Sequence, residues 1–420
     1  RAPLSITRRN TLRQFVLSRR QTVLAFAAFP VIAKPSSSGG LGWHNGVLMV
    51  QYIDLKSQYA RLKDRIGEGI SEVLEGGQYV LGPAVKNFEQ EMSDYLGVRH
   101  SIGVSNGTDA IIMALLGLGL TPKDAVFVPS FTYVATAEAI LMGNATPVFV
   151  EVDEKSFNID PEDLSARIEA VKAEGKLTPR VIIAVDLFGQ PADYQALRKI
   201  ADKHDLFIIA DAAQSIGGKS GNKMIGSLAD CTTTSFYPTK PLGCYGDGGM
   251  VFTDSDELAS IYRSVRAHGE GAHRYDVVRV GMNARLDSMQ AAILSAKLGI
   301  FEDELEHRER VAKIYDERLK DVVTVPWRVP NSRCAWAQYT IQADDRDGLK
   351  DHLAAENLVS MVFYAKPMHL QTAYEMYGDG VGSLPVSERL ADRVLSLPMN
   401  PYLSDEEVHS VCDRIVSFYK

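Results

Sequence analysis

Seven short runs rich in β-branched and aromatic residues, HSIGVSN, AVFVPSF, TPVFVEVD, RVIIAVDLFG, LFIIADAA, TTTSFYP and GMVFTD, follow one another between residues 100 and 254. Most are separated by amphipathic segments such as DAIIMALLGLGL, PEDLSARIEAVKAEG and ADYQALRKIADKHD. Such continuous apolar runs are strands buried on both faces, and strands joined through helices require crossover connections. The pattern therefore predicts an α/β domain on a mainly parallel seven-stranded sheet covered by helices. Ligands bind beyond the carboxyl ends of strands in such sheets, so the residues just after each run carry the functional information.

Near residue 300 the pattern changes. FEDELEHRERVAKIYDERLKDV reads as a long helix whose alternating charges form a solvated face, and the segments AQYTIQAD, DGLKDHLAAEN and LVSMVFYAK predict a smaller C-terminal α+β domain. The predicted division is a large domain over 49–300 and a small one over 301–420. Residues 1–48 are expected to lie outside the fold. They hold six Arg, one Lys and no acidic residue, and Ser18-Arg19-Arg20 before VLAFAAFPVIA resembles the twin-arginine and apolar parts of an export signal. No obvious small-residue cleavage site follows, however, and the well-patterned segment MVQYIDLKSQYARLKDRI begins at Met49. A start assigned too far upstream, or residues added to the chain, is the simpler account.

The formal net charge is −8, and setting aside the seven basic residues of the extension leaves 38 Lys and Arg against 53 Asp and Glu, a net of −15. A body this acidic repels nucleic acid and anionic lipid, so any anionic substrate must be held by local Arg, Lys or backbone amides. No run of 18 apolar residues predicts a membrane span. Four cysteines, Cys231, Cys244, Cys334 and Cys412, lack the spacing of a metal pair or disulfide framework and fit a reducing cytoplasm.

Two glycine-rich stretches suggest phosphate binding and fail on inspection. AQSIGGKS has Ala213 where a phosphate loop needs glycine and reads better as a surface hairpin, and GCYGDGG precedes a strand rather than a helix. Four other features lie at strand ends. Ser105-Asn106-Gly107-Thr108 stands between a strand and a helix, where it is either an ordinary cap or a phosphate cradle. Tyr133 follows the second strand as core or as a flat wall for a planar ring. Asp211 ends LFIIAD, a costly place for a carboxylate unless donors or a cation meet it. Lys240, 29 residues later, is stiffened by Pro238 and Pro241 and followed by four glycines in seven residues; it either pairs with a carboxylate or serves as a desolvated amine nucleophile. Taken together, cradle, wall, aspartate and lysine are what pyridoxal 5'-phosphate requires: an amine for its aldehyde, a carboxylate for its ring nitrogen, and amides and hydroxyls for its phosphate.

With these features in order, the sequence resembles the DegT/DnrJ/EryC1/StrS nucleotide-sugar aminotransferases, which are fold-type-I pyridoxal-phosphate enzymes. The resemblance runs from about Met49 to the C-terminus through GQYVLGPAVKNFEQEMSDYLG, SNGTDA, PSFTYVATAEAI, DLFGQPAD, DAAQS, SFYPTKPLGCYGDGG and GMNARLDSMQAAIL. It implies that Lys240 carries the cofactor, that Asp211 and Gln214 contact its ring, that Gly107, Thr108 and Ser235 bind its phosphate and that Tyr133 stacks on it. It also implies that Asn283 reaches the phosphate of a neighbouring subunit, hence a homodimer with shared sites. Retention of a lysine at 240 implies transamination from L-glutamate to a keto-sugar nucleotide. PLGCYGDGG, RVGMNARLD, AQYTI and LSLPMNPYL are most similar to members that aminate C3 of UDP-2-acetamido-2-deoxy-3-oxo-glucuronate for bacterial surface polysaccharide, the O-antigen of lipopolysaccharide included.

A uronate carboxylate needs a cation, and Arg285 is the candidate, its alternative being a structural ion pair. Where relatives show His-Tyr-Pro, this chain has Phe363-Tyr364-Ala365-Lys366, leaving Tyr364 and His369 as further candidate substrate contacts. Competing readings are an aminotransferase for a 3- or 4-keto-6-deoxy sugar nucleotide, a pyridoxal-phosphate-binding regulator without turnover, and, remotely, a phosphate-loop nucleotidase.

Overall fold

The computed structural model describes residues 50–420 except Arg274, together with a two-residue hairpin, Trp43–His44 and Val47–Leu48. The remainder of the basic extension, and the expectation attached to it, lies outside the described residues.

All seven expected strands form one sheet: β1 (His100–Val104), β2 (Asp124–Pro129), β3 (Thr146–Val150), β4 (Thr178–Val185), β5 (Phe207–Asp211), β6 (Cys231–Ser235) and β7 (Gly249–Thr253). Their spatial order is β1-β7-β6-β5-β4-β2-β3, and β7 alone runs antiparallel to its neighbours. Alternate residues of the central strands enter different cores. Ile182, Ala184, Ile208 and Ala210 pack on one face, whereas Val181, Ile183 and Ile209 pack on the other. This period of two, with helices over both faces, explains why the runs are apolar at every position.

A third core gathers Val311, Tyr315, Tyr339, Leu353, Leu395, Val411 and Ile415, and Val50 joins it from the other end of the chain. The helix Phe301–Leu319 bridges two cores, with Phe301 and Leu305 in the first and Val311 to Leu319 in the third. Its charges are not all solvated, contrary to the sequence expectation. Glu304 is buried and accepts from Gln58 Nε2 and Tyr402 Oη, and buried Arg308 donates to the carbonyls of Trp336 and Met399. Pattern alone could not separate a solvated stripe from one whose charges meet partners more than 25 residues away. The AQSIGGKS stretch is the expected hairpin, Lys219–Ser220 with Lys223–Met224, and Ser332–Arg333 adds a third short strand.

β1 lies at a sheet edge, and its exposed backbone is closed by an ion pair rather than by another strand. Glu89 Oε1 accepts the Gly103 N–H at 2.8 Å, and Arg266 Nη1 donates both to the Gly103 carbonyl at 3.0 Å and to Glu89 at 2.5 Å. Both side chains are largely buried. Such capping blocks edge-to-edge association. Glu89→Ala strands a buried guanidinium and is expected to cost roughly 3–5 kcal/mol in urea unfolding, a loss below about 1 kcal/mol counting against the arrangement.

Candidate active site

The carboxyl ends of β1, β2, β4, β5 and β6 lie on one edge of the sheet, and the chain leaving each contributes to one site. Asp211 closes β5 and is 6 % exposed. Its Oδ2 accepts from Thr136 Oγ1 at 2.8 Å and its Oδ1 from the Ala213 N–H at 3.2 Å. Burial pushes its pKa up, against the opposing pull of these two donors and the charge of Lys240. Because β6 pairs in parallel beside β5, with Thr233 opposite Asp211, the chain emerging at Ser235 passes close by. A turn closed by the Lys240 N–H on the Tyr237 carbonyl at 2.9 Å then brings Lys240 to the same place. Burial lowers the Lys240 pKa, while Asp211 works to raise it. The lysine Nζ has no hydrogen bond or ion pair among the described residues.

The helix Gly107–Leu116 begins directly after β1. Asn106 Oδ1 caps the Asp109 N–H at 2.8 Å, which leaves the amides of Gly107 and Thr108 without helical partners. Two glycines let this helix end approach the sheet. A Cβ at Gly107 would lie 2.6 Å from the Ser235 Cβ, and one at Gly249 would lie 2.4 Å from the Asn106 carbonyl oxygen. The Thr108 hydroxyl has no partner among the described residues, and Ser235 Oγ accepts only the Tyr237 N–H, at 3.2 Å. Free amides and two available hydroxyls at a helix N-terminus form an anion site.

Above Asp211, Gln214 is held by its Oε1 accepting the Phe188 N–H at 2.6 Å, and its Nε2 donates to Tyr364 Oη at 3.3 Å. The Tyr364 ring lies 6.0 Å from that of Tyr133, which is 55 % exposed at the start of the helix Val134–Met142. The structure thus brings Gly107, Thr108 and Ser235 together at one end of the site, and Tyr133, Asp211, Gln214, Lys240 and Tyr364 at the other. Arg285 is half-buried and has neither ion pair nor hydrogen bond among the described residues, so its structural alternative finds no partner there. Asn283 is exposed.

His369 is a correction. It is 1 % exposed, with both ring nitrogens occupied, and is not available to a substrate. Ser130 Oγ accepts the His369 backbone N–H at 3.2 Å; the Glu388 carboxylate 3.2 Å from Nε2 makes that nitrogen the donor, so in the neutral ring that burial favours Nδ1 accepts the Ser130 hydroxyl at 2.6 Å. His369 therefore latches the segment that carries Tyr364 to the end of β2.

Two contributors escaped the sequence reading. Thr136 lies three residues after Tyr133, one helical turn along and thus able to face Asp211. Asp186 ends RVIIAVD as Asp211 ends LFIIAD, and that shared strand-end position was the available signal. Asp186 is fully buried and accepts from the Ala192 N–H, Tyr194 Oη and Ser215 Oγ at 2.8, 2.9 and 2.8 Å. Burial, aided by the charge of Asp211, pushes its pKa up to about 7.

A desolvated amine beside a buried carboxylate, together with a helix N-terminus that offers free amides and hydroxyls, suits pyridoxal phosphate. This fold with this site defines a pyridoxal-phosphate-dependent aminotransferase. The chain belongs to the DegT/DnrJ/EryC1/StrS aminotransferase family, whose model matches residues 61–416. It is 44 % identical over 372 residues to the UDP-2-acetamido-2-deoxy-3-oxo-D-glucuronate aminotransferase of Pseudomonas aeruginosa, covering 88 % of this chain and 100 % of that one. A crystal structure of a DegT DnrJ EryC1 StrS aminotransferase from Brucella abortus superposes with a TM-score of 0.86 at 53 % identity, covering 88 % and 99 % of the two chains. The Bacillus subtilis protein NtdA, solved with bound cofactor PMP, superposes with a TM-score of 0.78 at 29 % identity, covering 87 % and 83 %.

The raised Asp186 pKa has a consequence for stability. A carboxyl that holds its proton more tightly when folded makes the protein lose stability as pH rises from about 4 to about 7. Asp186→Asn keeps the shape and the acceptor oxygen, so its melting temperature relative to wild type is expected to climb across that window. A difference that stays flat with pH would show that Asp186 is ionised throughout.

Proposed function

We propose that this protein transfers an amino group from L-glutamate to C3 of UDP-2-acetamido-2-deoxy-3-oxo-glucuronate, in the cytoplasm, on the way to a bacterial surface polysaccharide such as the O-antigen. The observation that carries the amino-transfer reading is Lys240, partly desolvated beside Asp211 and without an ion pair among the described residues. The substrate reading rests on the name of the P. aeruginosa relative, matched over its full length, and on the Arg285 guanidinium, which has no partner among the described residues.

In this reading Gly107, Thr108 and Ser235 hold the cofactor phosphate, Tyr133 covers the ring, and Asp211 and Gln214 contact it. When bound, pyridoxal phosphate supplies an aldehyde to take up the donor nitrogen and a ring to receive the electron pair released at the donor's α-carbon. Desolvation keeps the Lys240 amine easily deprotonated, so Nζ can take the proton from the glutamate α-carbon and later deliver one to C3 of the sugar. Thr136 and the Ala213 N–H keep the Asp211 carboxylate oriented for a ring N–H. Arg285 grips the uronate carboxylate.

The protein acts as a homodimer in this proposal. Val277, Val278 and Val280 are more than half exposed just before Asn283, which is an apolar strip suited to a second copy and leads into the residue that would cross to its phosphate.

The test is the visible absorbance of the holoenzyme before and after adding UDP-2-acetamido-3-amino-2,3-dideoxyglucuronate, which runs the sugar half-reaction backwards. Loss of the cofactor's visible band is expected. A band bleached by glutamate but untouched by this sugar would discard the substrate, and no band with added cofactor would discard the role of Lys240. Arg285→Ala is expected to weaken binding of the uronate by about 1.5–3 kcal/mol, with the glutamate half-reaction unchanged. An unaltered KM for the sugar would remove Arg285 from the site.

A further inference from the structure

We propose that Lys297 is a positioning residue that sets the place of Lys240 by holding the loop that follows it; this deepens the function above and rests on it. Lys297 lies on the last turn of the helix Ser288–Leu298 and is only 1 % exposed. A lysine so deeply buried ordinarily faces a carboxylate. Among the described residues none lies within ion-pair distance, and nearby Glu304, which contributes only its field, already accepts from Gln58 and Tyr402. Instead, Lys297 Nζ donates to the Gly243 carbonyl at 2.5 Å and stands 4.1 Å from the centre of the Tyr245 ring, a cation–π contact.

Both partners belong to the turn that leaves Lys240. Gly243 is wedged against the chain on the other side of that lysine: a Cβ there would lie 2.6 Å from the Tyr237 carbonyl oxygen and 2.7 Å from that of Pro238. The Tyr237 carbonyl also closes the turn on the Lys240 N–H. A shift of Gly243 therefore displaces the backbone on which Lys240 stands. The same helix grips the next residues as well. Gln290 Oε1 accepts the Tyr245 N–H at 2.8 Å, and its Nε2 donates to the Tyr245 carbonyl at 3.3 Å. Between these two holds, the Cys244 N–H and Sγ both bond the Phe236 carbonyl, at 2.8 and 3.0 Å. The helix that begins just after Asn283 and Arg285 thus also registers the loop of Lys240. The cost of burying Lys297, whose pKa is pushed down to about 8, is what a merely space-filling residue would avoid.

The experiment compares wild-type holoenzyme with Lys297→Met and Lys297→Arg. It reads the pH midpoint of the cofactor's visible band, the affinity for pyridoxal phosphate by equilibrium dialysis, and kcat and KM separately. A lysine that only supports the fold would lower the melting temperature and leave the midpoint in place. A positioning lysine moves the midpoint, because the setting of the Lys240 amine changes. For Lys297→Met we expect a displaced midpoint, weaker cofactor binding and a kcat lower by about tenfold at unchanged glutamate KM, with partial recovery in Lys297→Arg. A folded Lys297→Met with wild-type midpoint and kcat overturns the proposal. Should that variant not fold, Gln290→Ala, which frees the same loop at Tyr245, decides by the same midpoint. A wild-type protein with no band would overturn the role of Lys240 and this inference with it, whereas a wild-type band unmoved by the variants overturns this inference alone.

Discussion

Burial of the Asp211 carboxylate disfavours its charged form, and much of the site consists of groups that make its ionisation tolerable. Thr136 arrives from the helix after β2, the Ala213 N–H from the turn after β5, and the Lys240 charge from the turn after β6. Four strand-to-strand connections, from β2 to β6, separate the first of these groups from the last. Parallel pairing supplies the common edge, since every forward-running strand ends there. The one antiparallel strand, β7, enters at the same edge through Gly249, whose lack of a side chain lets the start of the helix Gly107–Leu116 settle beside Ser235.

A second buried acid lies directly beside the first. Val185 pairs with Asp211 across the sheet, and the Asp186 N–H bonds the Asp211 carbonyl at 3.1 Å. Through Ser215, Ala192 and Tyr194, the Asp186 carboxyl ties the turn carrying Gln214 to the segment after β4. The two side chains point to opposite faces of the sheet and share no partner, but the charge of Asp211 still acts on Asp186. Burial and the charge of Asp211 both raise the Asp186 pKa, so Asp186 takes up a proton more readily than an ordinary carboxylate while Asp211 is ionised. The two strand-end aspartates thus have opposite tasks set by what surrounds them: Asp186 bonds structural donors, and Asp211 faces the open site.

What was legible in the sequence was whatever a single strand and the few residues after it determine. All seven runs became strands, and Asp211, Ser235 and Lys240 occupy strand ends or the turn after one, because burial and chain direction are local properties of an apolar run. Side chains whose surroundings come from distant segments were not legible. His369 looked like a substrate contact and proved to be a latch, since Ser130, 239 residues earlier, and Glu388 enclose it. Glu304 and Arg308 sit in a charge-rich helix and are buried for the same kind of reason. Nothing in the sequence singles out Lys297. Its role depends on Gly243, 54 residues away, a separation that periodicity cannot report.

The substrate and dimer parts of the proposal are linked through four consecutive residues. Asn283 is exposed, Ala284 is fully buried, Arg285 is half-buried and Leu286 is fully buried. Asn283 also bridges to Ala267, so the segment is extended, and successive side chains of extended chain point to opposite sides. Ala284 and Leu286 anchor one side in the protein, which leaves Asn283 and Arg285 on the other, two residues and hence about 7 Å apart. Among the described residues the half-buried Arg285 guanidinium has no carboxylate partner, which is what the proposed uronate contact requires. If Asn283 reaches the cofactor phosphate of a second copy, Arg285 is delivered to that same site, beyond the phosphate. A uronate carboxylate would then be read by the partner subunit, and the specificity of each site would depend on assembly of the dimer.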